Sequence, residues 1–223
     1  MTSQTDHDLR MEEMVRSWRA ISGPEVDIPQ WTDSLRQMQQ EVRALKAQGR
    51  WRTGGRTLLN ALMVHHDEVI LCRGLAWLLT PDGWHGLGSS VLAGLLDALD
   101  LPTGGAGEAQ VVIEEQREET RADIIIRYQE ATVLIEAKVW AGEQYEQADR
   151  LARRWEDEDP TLVFLTRDRR LPITAVESRD SWRAVSWQDL TIIIRRAIDH
   201  CPDPSPGAIE YSQTLEHYGG AHG

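Results

Sequence analysis

Glu136 and Lys138 stand two residues apart in TVLIEAKVW (132–140), among Val133, Leu134, Ile135, Val139 and Trp140. Burying charge in such an apolar, β-branched run is costly unless the charges are well paired or put to use. The lysine is also unusual for this chain, because among 24 basic residues only Lys46 and Lys138 are lysines and the rest are arginines. RADIIIRY (121–128) comes just before it. If Gln129 and Glu130 form a two-residue turn, Tyr128 faces Ala131 and Asp123 falls opposite Glu136, on one face of the hairpin. Side chains alternate along a strand, so Lys138 shares that face. A turn longer by two residues makes the pair diagonal, and a slip of one scatters the group.

Two carboxylates that close repel unless something positive lies between them. Hard oxygen ligands on a strand pair suit magnesium, which keeps several waters. A bound water then loses its proton more easily, and the cation stabilises charge developing on a phosphoryl oxygen. Lysine is a compact point charge whose pKa can fall on burial, so it can orient or deprotonate an attacking water. A cross-strand ion pair on a wet sheet face would carry the same Glu-x-Lys spacing.

The elements that must hold these residues follow from the hydrophobic period. Residues 8–20 and 32–48 read as amphipathic helices, the second stopped by Gly49. A break at TGGRT precedes a helical pattern from Leu58 to Leu79, ended by Thr80-Pro81. PDGWHGLGSS is a loop and 91–99 another helix. The period then changes, with strands expected at 109–116, 121–128 and 132–139, a helix over 142–158 and a buried strand at 161–166. Ser186 is placed to N-cap a helix over 186–201, and a short helix follows Pro202-Asp203-Pro204. This order predicts an α/β fold, a mixed sheet flanked by helices, with an N-terminal helical extension. It divides into 1–56 (helical extension and basic loop), 57–202 (core) and 203–223 (C-terminal helix and tail).

Composition limits what the chain can be. With 223 residues it can bury one sizeable core. The polar, acidic start is no secretory signal, no apolar run approaches a bilayer's thickness, and two cysteines make no disulfide framework or metal spacing. A cytoplasmic, reduced protein is the expectation, with no membrane partner. A net charge of −12 argues against bulk electrostatic attraction to nucleic acid. Yet residues 42–66 contain no acid and carry Arg43, Lys46, Arg50, Arg52 and Arg56 around Trp51, a loop that could touch phosphates. His85, the pair His65-His66 and Ser90 read as structural, Ser90 having no strained-elbow glycines around it.

RADIIIRY…TVLIEAKVWAGEQYEQADRL resembles the core of the PD-(D/E)XK nuclease superfamily, with an aspartate, an E-x-K strand and a glutamine-bearing helix in that order. DEVILCRGLAWLLTPDGWHGLGSSVLAGLL is similar to the helical lead-in of one bacterial branch, and together the likeness covers about residues 64–190. Ala122 stands where the name's proline would be. The resemblance implies a restriction-endonuclease-like fold over 57–202. It further implies a metal-dependent endonuclease cutting DNA, RNA not excluded, in bacterial or phage antiviral defence or DNA processing. Asp123, Glu136 and Glu68 would bind Mg2+, for which Mn2+ could substitute, Lys138 would position the water, and Gln147 would assist. From the residues alone, Asp67 competes with Glu68 for the inward position and Gln144 with Gln147. Arg150 and Arg154 follow Gln147 at i+3 and i+7, a face that could lead to a phosphate backbone alongside Arg50, Arg52 and Arg56. The alternative is a nuclease-fold module that only binds nucleic acid or protein, inactive or activated by a partner subunit or a homodimer.

Overall fold

The computed structural model describes residues 11–17, 28–50 and 53–218; residues 8–10 and 18–20 of the first expected helix lie outside them, as does Arg52. The chain divides into two compact units, Met1–Thr53 and Gly54–Gly223. In the first, residues 11–17 form helix α1 and Ile28–Ala47 form α2. α2 starts earlier than expected because Pro29 fits a first turn, where its missing N–H costs nothing. It stops where Gly49 takes φ 64°, a left-handed value that glycine adopts without strain, and Arg50 N–H reaches Leu45 O at 2.9 Å.

The second unit is built on a five-stranded sheet in sequential order. β1 (Gln110–Arg117), β2 (Thr120–Tyr128) and β3 (Ala131–Ala137) form an antiparallel meander. Helix α6 (Gln147–Arg154) then crosses over to β4 (Thr161–Thr166), parallel to β3. β5 (Trp182–Ser186) was not anticipated and adds in parallel to β4. Ser186 ends β5 and N-caps α7 (Trp187–His200) in a capping box with Asp189, so the strand runs straight into the helix.

The expected helix over 58–79 is broken in two. Thr57 caps a single turn, α3 (Leu58–Ala61), and Met63 then takes φ 58°. Asp67 starts α4 (Glu68–Leu79) by accepting from Ile70 N–H at 3.2 Å. The apolar stripe continues through this break, but the aspartate cap outcompetes continuation by satisfying one of the new helix's orphan donors. The break makes Glu68 the first residue of a helix.

Two cores flank the sheet. Ile124, Ile126, Val133 and Ile135 face α4, α5 (Ser90–Ala98), α7 and α8 (Pro206–Leu215), while Ile125, Leu134 and Phe164 pack with Leu151 and Trp155 around α6. Each such side chain removed from water contributes about 1.5–3 kcal/mol. Gly74 lets α8 close on α4, since a Cβ there would sit 2.3 Å from the Tyr211 ring. His85 is buried and uses both ring nitrogens on backbone: Leu87 N–H donates to Nδ1 and Nε2 bonds Thr80 O. It clasps the 81–90 loop as a structural histidine.

α6 is held from outside by a buried carboxylate. Asp149 accepts from the amides of Val176, Glu177 and Ser178 and from the Ser178 hydroxyl. Burial pushes this carboxyl up, but those four donors outweigh it and lower its pKa from 3.8 to about 2. A depressed folded-state pKa means stability present above the unfolded value and lost as pH falls through the folded one. Asp149→Asn should therefore destabilise the protein by about 2 kcal/mol near neutrality. The gap to wild type should be about halved at pH 3 and nearly closed by pH 2. Denaturant unfolding of both proteins across pH 6 to 3 measures this; a constant gap would mean the ionised form is not what holds α6.

Candidate active site

The β2–β3 register runs from Tyr128↔Ala131 to Ile124↔Ile135, which is what a two-residue turn at Gln129-Glu130 gives. The backbone ladder ends there, one step short of the expected Asp123–Glu136 pair, and a side chain takes over: Ala137 N–H donates to Asp123 Oδ2 at 2.8 Å. Alternation places Glu136 on the face that carries Leu134, the α6 side of the sheet, whereas alternation breaks beside Asp123, since Ala122 joins the α6-side core and Ile124 the opposite one.

Glu136 is almost completely buried, and two donors converge on its Oε1. Lys138 Nζ lies 2.6 Å away and Gln147 Nε2, from the first residue of α6, also 2.6 Å. Gln147 is oriented by the Gln144 amide, which donates to its Oε1 at 3.1 Å, so Gln147 and not Gln144 reaches the cluster with its side chain. Lys138 Nζ also reaches Glu68 Oε1 at 3.3 Å, while Glu68 Oε2 accepts from Val139 N–H at 3.0 Å. Asp67 is occupied as the α4 cap, so Glu68 is the acid that turns towards the strands. Glu136, Lys138, Gln147 and Glu68 are thus hydrogen-bonded to one another, and Asp123 joins them through the Ala137 N–H between Glu136 and Lys138.

The lysine is fixed at its backbone as well. Its N–H donates to Leu165 O at 2.8 Å, continuing the β3–β4 pairing, and its carbonyl accepts from Trp187 Nε1 at 3.3 Å. Trp187, fully buried at the start of α7, is a positioning residue that the sequence reading missed. Its only sequence signal was its place directly after an N-cap serine.

Burial pushes the Glu136 carboxyl up to about 8, and the Asp123 charge adds to the push while the Lys138 ammonium opposes it. Asp123 is raised too, by burial first, with the Ala137 amide and Lys138 pulling the other way. Burial lowers Lys138, but Glu136, Glu68 and Asp123 outweigh it and hold the ammonium above the ordinary lysine range. The expectation of a lysine whose pKa falls on burial is corrected here, because three carboxylates outvote desolvation. Burial first, and then the Asp123, Glu68 and Glu136 charges, raise the Cys72 thiol one turn along α4 from Glu68, which disfavours the reactive thiolate.

The donors present fit a divalent cation. They are hard carboxylate oxygens, and Glu136 Oε2 is buried with no hydrogen-bond partner. Among the described residues no three His, Cys, Asp or Glu side chains stand close enough together to grip an ion as placed. Lys138 is the cation that Glu136 and Glu68 share in this arrangement.

The expected phosphate contacts are less concentrated. Arg150 donates to the Tyr145 carbonyl, and Arg154 turns to Glu118 and Glu119 at 2.5 and 3.0 Å. Arg56 pairs with Glu216 at 3.1 Å, and Arg50 is exposed just after α2.

Compared with known proteins, the chain matches the model of the PD-(D/E)XK nuclease superfamily over residues 73–218. The match spans Asp123, Glu136, Lys138 and Gln147, and begins five residues after Glu68. No curated protein and no solved structure matches the chain.

Because Lys138 bridges two glutamates in a nearly dry site, Lys138→Met should cost about 3 kcal/mol, the penalty for leaving a buried carboxylate unpaired. Adding Glu136→Gln removes that charge and should restore about 1–3 kcal/mol, since residues in contact couple by that much. Urea unfolding of the two single variants and the double, without divalent cation, reads the coupling; strictly additive losses would mean that the two side chains do not depend on each other.

Proposed function

We propose, for a chain that belongs to the PD-(D/E)XK nuclease superfamily, that it is a metal-dependent endonuclease hydrolysing phosphodiester bonds in DNA. The carrying observation is the convergence on Glu136: a buried carboxylate with Lys138 and Gln147 on one oxygen, nothing on the other, and Asp123 beside it. Asp123 and Glu136, with Glu68 at the edge, would hold Mg2+, or Mn2+ in its place. Such an ion supplies a more acidic bound water and offsets charge on the phosphoryl group.

The chain's own residues have separable tasks. Lys138 offers three N–H donors, of which two are engaged by Glu136 and Glu68. The third can orient the attacking water and stabilise negative charge as the new P–O bond forms and the ester P–O bond breaks. Gln147 fixes the Glu136 carboxylate so that Oε2 stays turned to the reaction. Burial keeps bulk water out, which strengthens each of these interactions. The setting, bacterial or phage defence or DNA processing, rests on kinship alone.

Two measurements test this reading. Magnesium should raise the thermal midpoint of wild type by binding the native state, and Asp123→Asn should abolish most of the increment; an equal rise in both proteins places the ion elsewhere. On plasmid and linear DNA, Lys138→Met should lower cleavage roughly 100- to 10,000-fold with little change in DNA affinity. Lys138→Arg should rescue poorly, because a guanidinium presents a wide fork instead of a point charge. Wild-type cleavage by Lys138→Arg would remove the role given to this lysine and favour a structural ion pair in a binding module.

A further inference from the structure

The segment between Lys138 and Gln147 leaves the active site and returns to it, since both end residues bond the same oxygen of Glu136. It is also pinned in the middle. The side chain of Glu143 is almost fully buried and accepts from Arg170 Nη1, the amides of Ile173 and Thr174, and the Thr174 hydroxyl. A segment tied at three points has little freedom to fold its apolar side chains inward. It holds two aromatic rings in water: Trp140 is 60% exposed and Tyr145 is 81% exposed. Ile173, which bonds Glu143 through its amide, is 71% exposed. An arginine lies on the Trp140 ring, and another bonds the backbone at Tyr145. The Arg167 guanidinium lies 3.9 Å from the Trp140 ring centroid, and its Nε is buried without a hydrogen-bond partner. Arg150 donates to the Tyr145 carbonyl and likewise has a buried, unpartnered Nε.

We infer that this segment is a stacking platform for unpaired nucleobases, so that the substrate is single-stranded nucleic acid or a duplex with an unpaired tail. The inference rests on the nuclease reading for the site itself and names its substrate class. An exposed ring next to a cation, as Trp140 is, offers a π-face to any base and a charge to its phosphate, the combination by which single strands are bound without sequence preference, and Tyr145 adds a second exposed ring. In an intact duplex the base faces are covered by their neighbours, so these rings would gain nothing from it. Their position in sequence, two residues after Lys138 and two before Gln147, seats the stacked nucleotides within a few residues of the reacting phosphate.

The test uses the full chain with calcium replacing magnesium, and fluorescence anisotropy of short labelled single-stranded DNA, single-stranded RNA and blunt duplex DNA. Wild type should bind single strands more tightly than duplex. Trp140→Ala and Tyr145→Ala should each weaken single-strand binding about 5- to 100-fold, the usual loss for one base–aromatic stack. Duplex affinity and thermal midpoint should not move, and Trp140→Phe and Tyr145→Phe should restore most of the loss. Equal affinity for single strands and duplex, alanine variants that bind single strands as wild type does, or no binding of any nucleic acid would each overturn the inference. Silent alanine variants would mark the rings as a protein-contact surface. Cleavage in magnesium separates this from the underlying reading. Duplex cutting that is lost in Lys138→Met but indifferent to Trp140 keeps the nuclease and discards the platform. Aromatic-dependent binding without cleavage keeps the platform and discards the nuclease. Binding confined to RNA keeps the platform and replaces DNA as the substrate.

Discussion

The burial of Glu136 is the constraint around which the site is arranged. An isolated carboxylate taken out of water costs several kcal/mol, and the chain meets that cost with donors that must arrive from distant elements. Lys138 comes from the same strand, Gln147 from the start of α6, and Glu68 from the start of α4 to share the ammonium. Each of the three imposes a condition of its own. Lys138 needs its backbone clamped between Leu165 and Trp187, Gln147 needs α6 docked by Asp149, and Glu68 needs a helix that begins at residue 68. The break at Met63, the capping box at Ser186 and the loop tied to Asp149 all serve one buried oxygen pair.

What could be read from the sequence followed from period and turn length. The β2–β3 hairpin is pinned because Ile124–Ile126 and Val133–Ile135 must be buried and only two residues separate the strands. The choice between Asp67 and Glu68 was not legible, because both lie on apolar stripes; it is decided by the cap hydrogen bond to Ile70, a fact of local backbone. β5 was missed for a different reason. Trp182-Arg183-Ala184-Val185-Ser186 is short and has no clear alternation, and it is a strand because β4 offers it an open edge. Asp149 and Glu143 fall inside the helix expected over 142–158, and nothing in that pattern marks either for burial. Their partners lie 27 to 31 residues later in loops that no periodicity describes, so their burial is a purely tertiary outcome.

The acidity of the chain bears on how it could meet a polyanion. Many arginines near the proposed path are paired within the protein: Arg154 with Glu118 and Glu119, Arg56 with Glu216, Arg170 with Glu143. Exposed pairs of this kind are worth at most about 1 kcal/mol, so exchanging a carboxylate for a phosphate at Arg154 or Arg56 is nearly free. The buried pair of Arg170 with Glu143 is not exchangeable in that way and belongs to the scaffold. Few net phosphate neutralisations also mean a shallow salt dependence of binding, unlike a basic nucleic-acid-binding protein.

The scarcity of lysine has a steric and electrostatic reason at position 138. Glu136 Oε1 already accepts from Gln147 along a second direction, and the lysine side chain is only 9% exposed, which leaves room for a compact head group. An ammonium can place one hydrogen on Glu136, one on Glu68 and keep the third for a ligand, because its donors point tetrahedrally from one atom. A guanidinium spreads its donors in a plane and pairs best with both oxygens of one carboxylate, which would cover Glu136 Oε2. That oxygen is one of the buried acceptors left without a partner among the described residues. An arginine there would satisfy the protein at the expense of the site, whereas a lysine leaves the site an acceptor and a donor that the fold does not consume.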